Sequence, residues 1–133
     1  MKAIFAQTTG GIALTDLDGS FVTVNQRYCE IVGYSEPELL KMRMQDITHP
    51  EDLPGNLAQF HRMVETGSSF DIEKRYIRRD GTLVWVSNSV SVIRSDSGKI
   101  TQAVTVTIDV TERKRGQEEA ADDRFRYERV ACS

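Results

Sequence analysis

Apolar and polar positions alternate most regularly between Thr82 and Val110. Val84, Val86, Val90 and Val92 share one phase of Thr82–Arg94. In Lys99–Val110, Val104, Val106, Ile108 and Val110 alternate with Ala103, Thr105, Thr107 and Asp109. A period of two puts successive side chains on opposite faces of a pleated strand. These stretches, with Ser69–Arg78 before them, therefore predict three strands of an antiparallel sheet. Two shorter strand-like runs, Gly11–Thr15 and Phe21–Val24, lie nearer the start. Turn chemistry punctuates the strands at Asp16-Leu17-Asp18-Gly19, Arg79-Asp80-Gly81 and Ser95-Asp96-Ser97-Gly98. Glycine supplies the positive φ that tight reversals need, so each reads as a hairpin.

Between the second and third strands the period becomes helical. Ser35-Glu36-Pro37-Glu38 has the spacing of a capping box with proline in the first turn. Thr48-His49-Pro50-Glu51 repeats that logic ahead of a longer helix, in which Leu53, Leu57, Phe60 and Val64 form the expected buried stripe. Gly67 ends it, and Asn25 is the expected cap of an earlier short helix carrying Tyr28, Ile31 and Val32. Strands and helices kept apart in this way predict an α+β fold, with helices on one face of the sheet. After Val110 the chain turns charged, so Thr111–Val130 is expected to be an exposed or coiled-coil helix.

Composition narrows the picture. A chain of 133 residues, 39% hydrophobic and 28% charged, holds one modest core and a short extension. A net charge of -3 provides no basic stripe for nucleic acid. No apolar run approaches a membrane span, and Met1–Phe5 lacks the long apolar core of a secretory signal. Cys29 and Cys132 have no metal-ligand spacing and form no disulfide framework. The expectation is a reduced, cytoplasmic domain without nucleic-acid or membrane contact and without a metal site.

The order of elements, together with particular words in it, resembles the PAS family and its C-terminal PAC segment. Those words are Asp16-Leu17-Asp18-Gly19, Val24–Tyr28, Gly33–Leu39, His49-Pro50-Glu51-Asp52, Arg78–Thr82, Trp85-Val86 and Asp109–Arg113. The resemblance runs from about Phe5 to Lys114 and divides the chain into a sensory domain, 1–114, and a signalling helix or linker, 115–133. It implies a five-stranded antiparallel sheet whose helices enclose a pocket against its inner face. It also implies a sensor within a larger parent, such as a histidine kinase or diguanylate cyclase.

By match to the family's pocket-forming strands, Ala13, Thr15, Tyr76, Val86, Asn88, Val90, Thr105 and Thr107 face inward, under Leu57 and Phe60. Asn88 amid valines needs a partner. A water or a neighbouring threonine is the plainer one, and a ligand the sharper. Lys74 shares the phase of Phe70, Ile72 and Tyr76, so it would favour an anionic ligand if inward, although snorkelling past the sheet edge is the commoner outcome. The strand-to-helix joint, Asp109 with Thr111 and Glu112, is where the resemblance couples sensing to output. Asp109 or Thr111 is the expected cap there.

Haem and flavin are not expected. Flavin-binding light sensors of the family carry a reactive cysteine where this chain has Met42–Ile47, and Cys29 reads as a structural thiol. Met42 and Met44 read as gap-filling side chains. His61 reads as a surface or rim histidine, and His49 belongs to the start of the long helix. Trp85, in the opposite phase from the valines, is expected on the outer face. There Ile12, Leu14, Val104, Val106 and Ile108 would form an apolar patch too large for a soluble monomer. A helix, residues near Met1–Gln7 or a second copy should cover it, and homodimerisation is the preferred expectation. No phosphate loop or nucleophile motif supports catalysis within this chain. The two function readings are a small-molecule sensor with an occupied pocket, and a ligand-free dimerisation and relay module whose side chains fill its own interior.

Overall fold

The structure, a computed structural model, describes residues 10–114 and 116. Two strands open it, β1 (Gly11–Asp16) and β2 (Phe21–Val24), joined by the turn at Gly19, whose φ is 92°. Four helices follow: α1 (Gln26–Val32), α2 (Glu36–Leu39), α3 (Met44–Ile47) and α4 (Leu53–Thr66). Three long strands complete the sheet, β3 (Phe70–Ile77), β4 (Leu83–Arg94) and β5 (Ile100–Asp109). The five strands lie in the order β2-β1-β5-β4-β3 and every neighbouring pair is antiparallel. This is the α+β architecture read from the pattern, with each long strand one residue shorter at one or both ends.

Local chemistry sets the helix boundaries. The Asn25 side chain accepts from the Tyr28 amide at 2.9 Å and caps α1, which stops at Gly33 in the left-handed region. The capping box of α2 is complete: Glu38 N–H donates to Ser35 Oγ, and Ser35 N–H to Glu38 Oε1. Gly67 closes α4 with φ 79°.

The start of α4 departs from expectation. Its cap residue is Asp52 and its first-turn proline is Pro54, so Thr48 and Pro50 lie outside the helix. The Thr48 hydroxyl instead donates to the Met44 carbonyl at 2.8 Å and is buried. With the start displaced, the stripe rotates. Asn56, Phe60 and Met63 are the buried positions, while Leu57 and Val64 only pack against the core edge. The Asp52 carboxylate, freed from capping, grips Arg75 on β3 with a bidentate pair of 3.0 and 2.8 Å bonds.

Register decides which side chains meet. Asn88 on β4 lies opposite Ile72 on β3 and Thr107 on β5; Val90 lies opposite Phe70 and Thr105; Thr105 in turn faces Ala13 on β1. A core of Tyr28, Ile31, Val32, Leu39, Ile47, Phe60 and Met63 from the helices packs on Val84, Val86, Val90 and Ala103 of this inner face. Gly11 permits the closest approach between layers. A Cβ there would lie 2.8 Å from Tyr28 Cα, so any larger residue would push α1 off β1.

Candidate functional site

Between the inner face of the sheet and helices α1, α3 and α4 lies a small cavity of about 20 Å³. The sheet contributes Ala13, Thr15, Phe21, Lys74, Tyr76, Asn88, Val90 and Thr105; Tyr28, Met44, Asn56 and Phe60 come from the helices. Seven of the residues expected at the pocket line it. The other three do not: Val86 is buried in the core, Leu57 packs against the core edge, and Thr107 is fully buried outside the lining.

The polar part of this lining is a connected network. Tyr28 Oη donates to Tyr76 Oη at 3.0 Å, and Asn88 Nδ2 donates to the same oxygen at 3.0 Å. The Tyr76 hydroxyl accepts twice, which leaves its own proton free to be donated. Burial and the neighbouring Tyr76 push the Tyr28 phenol well above its usual value, so it stays protonated. Asn88 Oδ1 and Thr107 Oγ1 are buried and have no hydrogen-bond partner among the described residues.

Lys74 is the main departure from the sequence reading. It does not snorkel: it is 2% exposed and points inward. Its ammonium donates to Thr48 Oγ1 at 3.1 Å and to Asn56 Oδ1, and it sits 4.7 Å from the centre of the Tyr76 ring. Both hydrogen-bond partners are neutral. Burial pushes the Lys74 pKa down, against the opposing pull of Tyr76 and the more distant Asp52 carboxylate. Phe21, Tyr28, Met44 and Asn56 line the cavity beyond the expected residues, and Lys74 takes the inward position that would favour an anionic ligand. Strand phase alone signalled Lys74. For Asn56 and Thr48, the sequence signal was masked by the misplaced start of α4.

The joint after β5 is wired to the outer face. The Val110 amide donates to Trp85 O at 2.9 Å, and the Trp85 amide donates to Thr111 Oγ1 at 3.1 Å. Asp109 Oδ1 accepts from the Thr111 amide at 2.9 Å, the cap of a helical turn over 111–114, and Glu112 is exposed on that turn. Lys114 reaches back to Glu73 at 2.8 Å, and Arg113 pairs with the same carboxylate. The Trp85 ring has the Arg75 guanidinium 5.2 Å and the Lys114 ammonium 5.0 Å from its centre. Residue 115 and residues 117–133, most of the expected output helix, lie outside the described residues, as do the first nine.

On the same outer face Ile12, Leu14 and Val104 are half-buried, while Val106 and Ile108 are 39% and 42% exposed. His61 is exposed on α4. His49 Nδ1 accepts from the Glu51 amide at 3.1 Å, in the turn that leads into that helix. No helix among the described residues is long and apolar enough to cross a membrane.

A five-stranded sheet curled against short helices, with a polar cavity between the layers, defines a class of small sensory domain. The chain belongs to the PAS-fold family, whose profile matches residues 21–107. It is 32% identical over 109 residues to the probable diguanylate cyclase DgcE of Escherichia coli (strain K12). It is 26% identical over 118 residues to the sensor histidine kinase TmoS of Ectopseudomonas mendocina. Those matches cover 81% and 88% of this chain but only 10% and 12% of the relatives, so the chain spans about a tenth of their length. Among solved structures, a PAS domain from Colwellia psychrerythraea superposes with a TM-score of 0.77 at 21% identity, covering 84% of this chain and 94% of that one.

Proposed function

We infer that this chain is the sensory module of a larger signalling protein, that its cavity takes a small molecule, and that occupancy is relayed through the joint at Asp109–Thr111. The observation that carries this reading is the state of the cavity wall. Asn88 Oδ1, in that wall, is buried without a partner among the described residues, and the buried Lys74 ammonium is held there only by neutral groups. Each unpaired buried polar atom costs about 1–3 kcal/mol, a cost a purely structural core avoids by using apolar residues. A ligand that pairs these atoms explains why they are there.

The relay follows from strand β3. Lys74 faces the cavity, while its neighbours Glu73 and Arg75 contact Lys114 and Trp85 on the outer side. Movement of Lys74 is therefore felt at the first turn beyond the sheet. In this reading residues 1–114 form the sensor, 115–133 lead to the effector, and the parent carries a kinase or cyclase domain elsewhere.

Native mass spectrometry of the purified protein, followed by denaturation, tests occupancy. A stoichiometric small molecule is the expected result, with a shift in the emission of Trp85 when it is removed. An empty protein whose Trp85 emission ignores every candidate ligand would overturn the reading.

One observation favours a second, ligand-free reading. The cavity has room for only one or two water molecules, and Tyr28, Phe60 and Tyr76 fill much of the interior themselves. In either reading the outer apolar face is covered by a second copy. Because β2 has only four residues, the other four strands at the usual spacing and six-residue overlap present on the order of 400 Å² per copy, an area that suits a weak, concentration-dependent dimer. Val106→Glu should convert a concentration-dependent dimer to monomer in analytical ultracentrifugation. A wild-type monomer at all concentrations would remove the dimer.

A further inference from the structure

The chemistry of the cavity narrows its occupant further, and this step rests on the sensor reading above. We propose that the cavity takes a small organic anion, a short carboxylate bearing a hydroxyl group. The carboxylate pairs with Lys74 and the hydroxyl donates to Asn88.

The case begins with charge. Lys74 is 2% exposed, and no carboxylate among the described residues bonds to it. Asp52 is close enough to act through space, but its two oxygens are engaged by the Arg75 side chain and backbone. An ammonium has three donors, and Thr48 Oγ1 and Asn56 Oδ1 take two. The third N–H is on the side of Tyr76, whose ring centre is 4.7 Å away and whose hydroxyl, also neutral, attracts it. An ion taken out of water needs an opposite charge to recover its lost hydration, and the described residues do not supply a bonded one. A neutral ligand would leave that cost in place, whereas an anion offsets it through the pair it forms, against the cost of its own desolvation.

The second requirement comes from Asn88, which is 1% exposed, lines the cavity and has an unpaired Oδ1. A carboxyl oxygen of the ligand cannot satisfy an acceptor, so the ligand must carry a donor as well. The Tyr76 hydroxyl, which lies between Lys74 and Asn88, has a proton to give and suits an oxygen between the two ends. The third requirement is size. About 20 Å³ of free space holds one or two waters, so a molecule of a few heavy atoms enters only when the flexible side chain of Met44 and the Phe60 ring move aside, and a planar cofactor needs a far larger rearrangement.

Three probes of nearly equal size separate these requirements: glycolate has the charge and the donor, acetate the charge alone, and ethylene glycol the donors alone. Isothermal titration of the purified full chain should rank glycolate above acetate and acetate above ethylene glycol. Lys74→Met should weaken glycolate by about tenfold or more, the scale of a lost charge-assisted hydrogen bond. Asn88→Leu should bring glycolate to the level of acetate. Ethylene glycol binding as tightly as glycolate, or glycolate binding unchanged in Lys74→Met, would overturn the anionic class and leave the sensor reading intact. Failure of all three probes at millimolar concentration overturns this proposal too. The sensor reading then falls only if native mass spectrometry also finds the cavity empty. The ranking on the unaltered protein decides the matter even if a variant fails to fold.

Discussion

Two asparagines are buried to the same degree and do opposite things. Asn25 is saturated: its Oδ1 accepts from the amides of Ile12 and Tyr28 at 2.9 Å each, and its Nδ2 donates to the Gly10 carbonyl at 3.2 Å. It ties the start of β1 to the first turn of α1, so every polar atom it hides is satisfied and the fold gains a rigid corner. Asn88, at the centre of β4, makes one bond to Tyr76 and leaves its oxygen unpaired. A buried amide that completes its bonds within the protein is structure; one that does not is an interaction held open. The same contrast separates the neighbours Lys74 and Arg75. Arg75 is locked to Asp52 at the rim, and Lys74 is held inside by neutral oxygens.

The contrast is sharpest in stability. Asn25→Ala should cost about 2–4 kcal/mol in urea denaturation, because it deletes a helix cap and strands two amides and a carbonyl. A loss below about 1 kcal/mol would mean that water replaces the side chain and that the saturated network carries little.

The next effect is one of pH, and the two neighbours should act at opposite ends of the scale. Hydrogen bonds from Arg75 hold the Asp52 carboxyl below its usual 3.8. That contribution is fully present above the usual value and is lost as pH falls through the folded one. Asp52→Asn should therefore flatten the acid limb of the stability profile. Burial holds Lys74 below its usual 10.5, so the folded chain sheds this proton first and gains stability as pH rises toward that value. Lys74→Met should flatten the alkaline limb while leaving neutral stability within about 1 kcal/mol. Urea midpoints across pH check both, and an unchanged alkaline limb would place the Lys74 ammonium in contact with water.

Asn88→Val should have the smallest effect, within about 1 kcal/mol of wild type and of either sign, since it removes an unpaired polar atom along with one hydrogen bond. A cost equal to that of Asn25→Ala would show Asn88 to be structural and erase the comparison.

Much of the fold was legible residue by residue. Gly19, Gly81 and Gly98 marked the hairpins because positive φ is a local demand, and all three adopt it. The alternation in β4 and β5 assigned Asn88 and Thr105 to one face and Val106 and Ile108 to the other, because the pleat has a period of two whatever surrounds it. Ser35 and Asn25 were recognisable as caps because their hydrogen bonds close within three residues. Thr48 shows where such reading stops. Its spacing to Glu51 fits a cap, but the chain starts α4 at Leu53 and gives the hydroxyl to Lys74.

What the sequence determined on its own was the set of elements, their turns and the face on which each strand residue lies, since these follow from backbone sterics and periodicities of two and 3.6. Tertiary structure decided everything that depends on partners distant in the chain. It rotated α4 so that Asn56 rather than Leu57 faces inward. It brought Tyr28 onto Tyr76, 48 positions away, and closed the layers so tightly that Lys74 is buried instead of reaching water. The physical reason is that solvation and pairing belong to a place in three dimensions. A residue's own neighbours in sequence set its direction, but only the packed layers decide whether a lysine meets water, a carboxylate or an unfilled cavity.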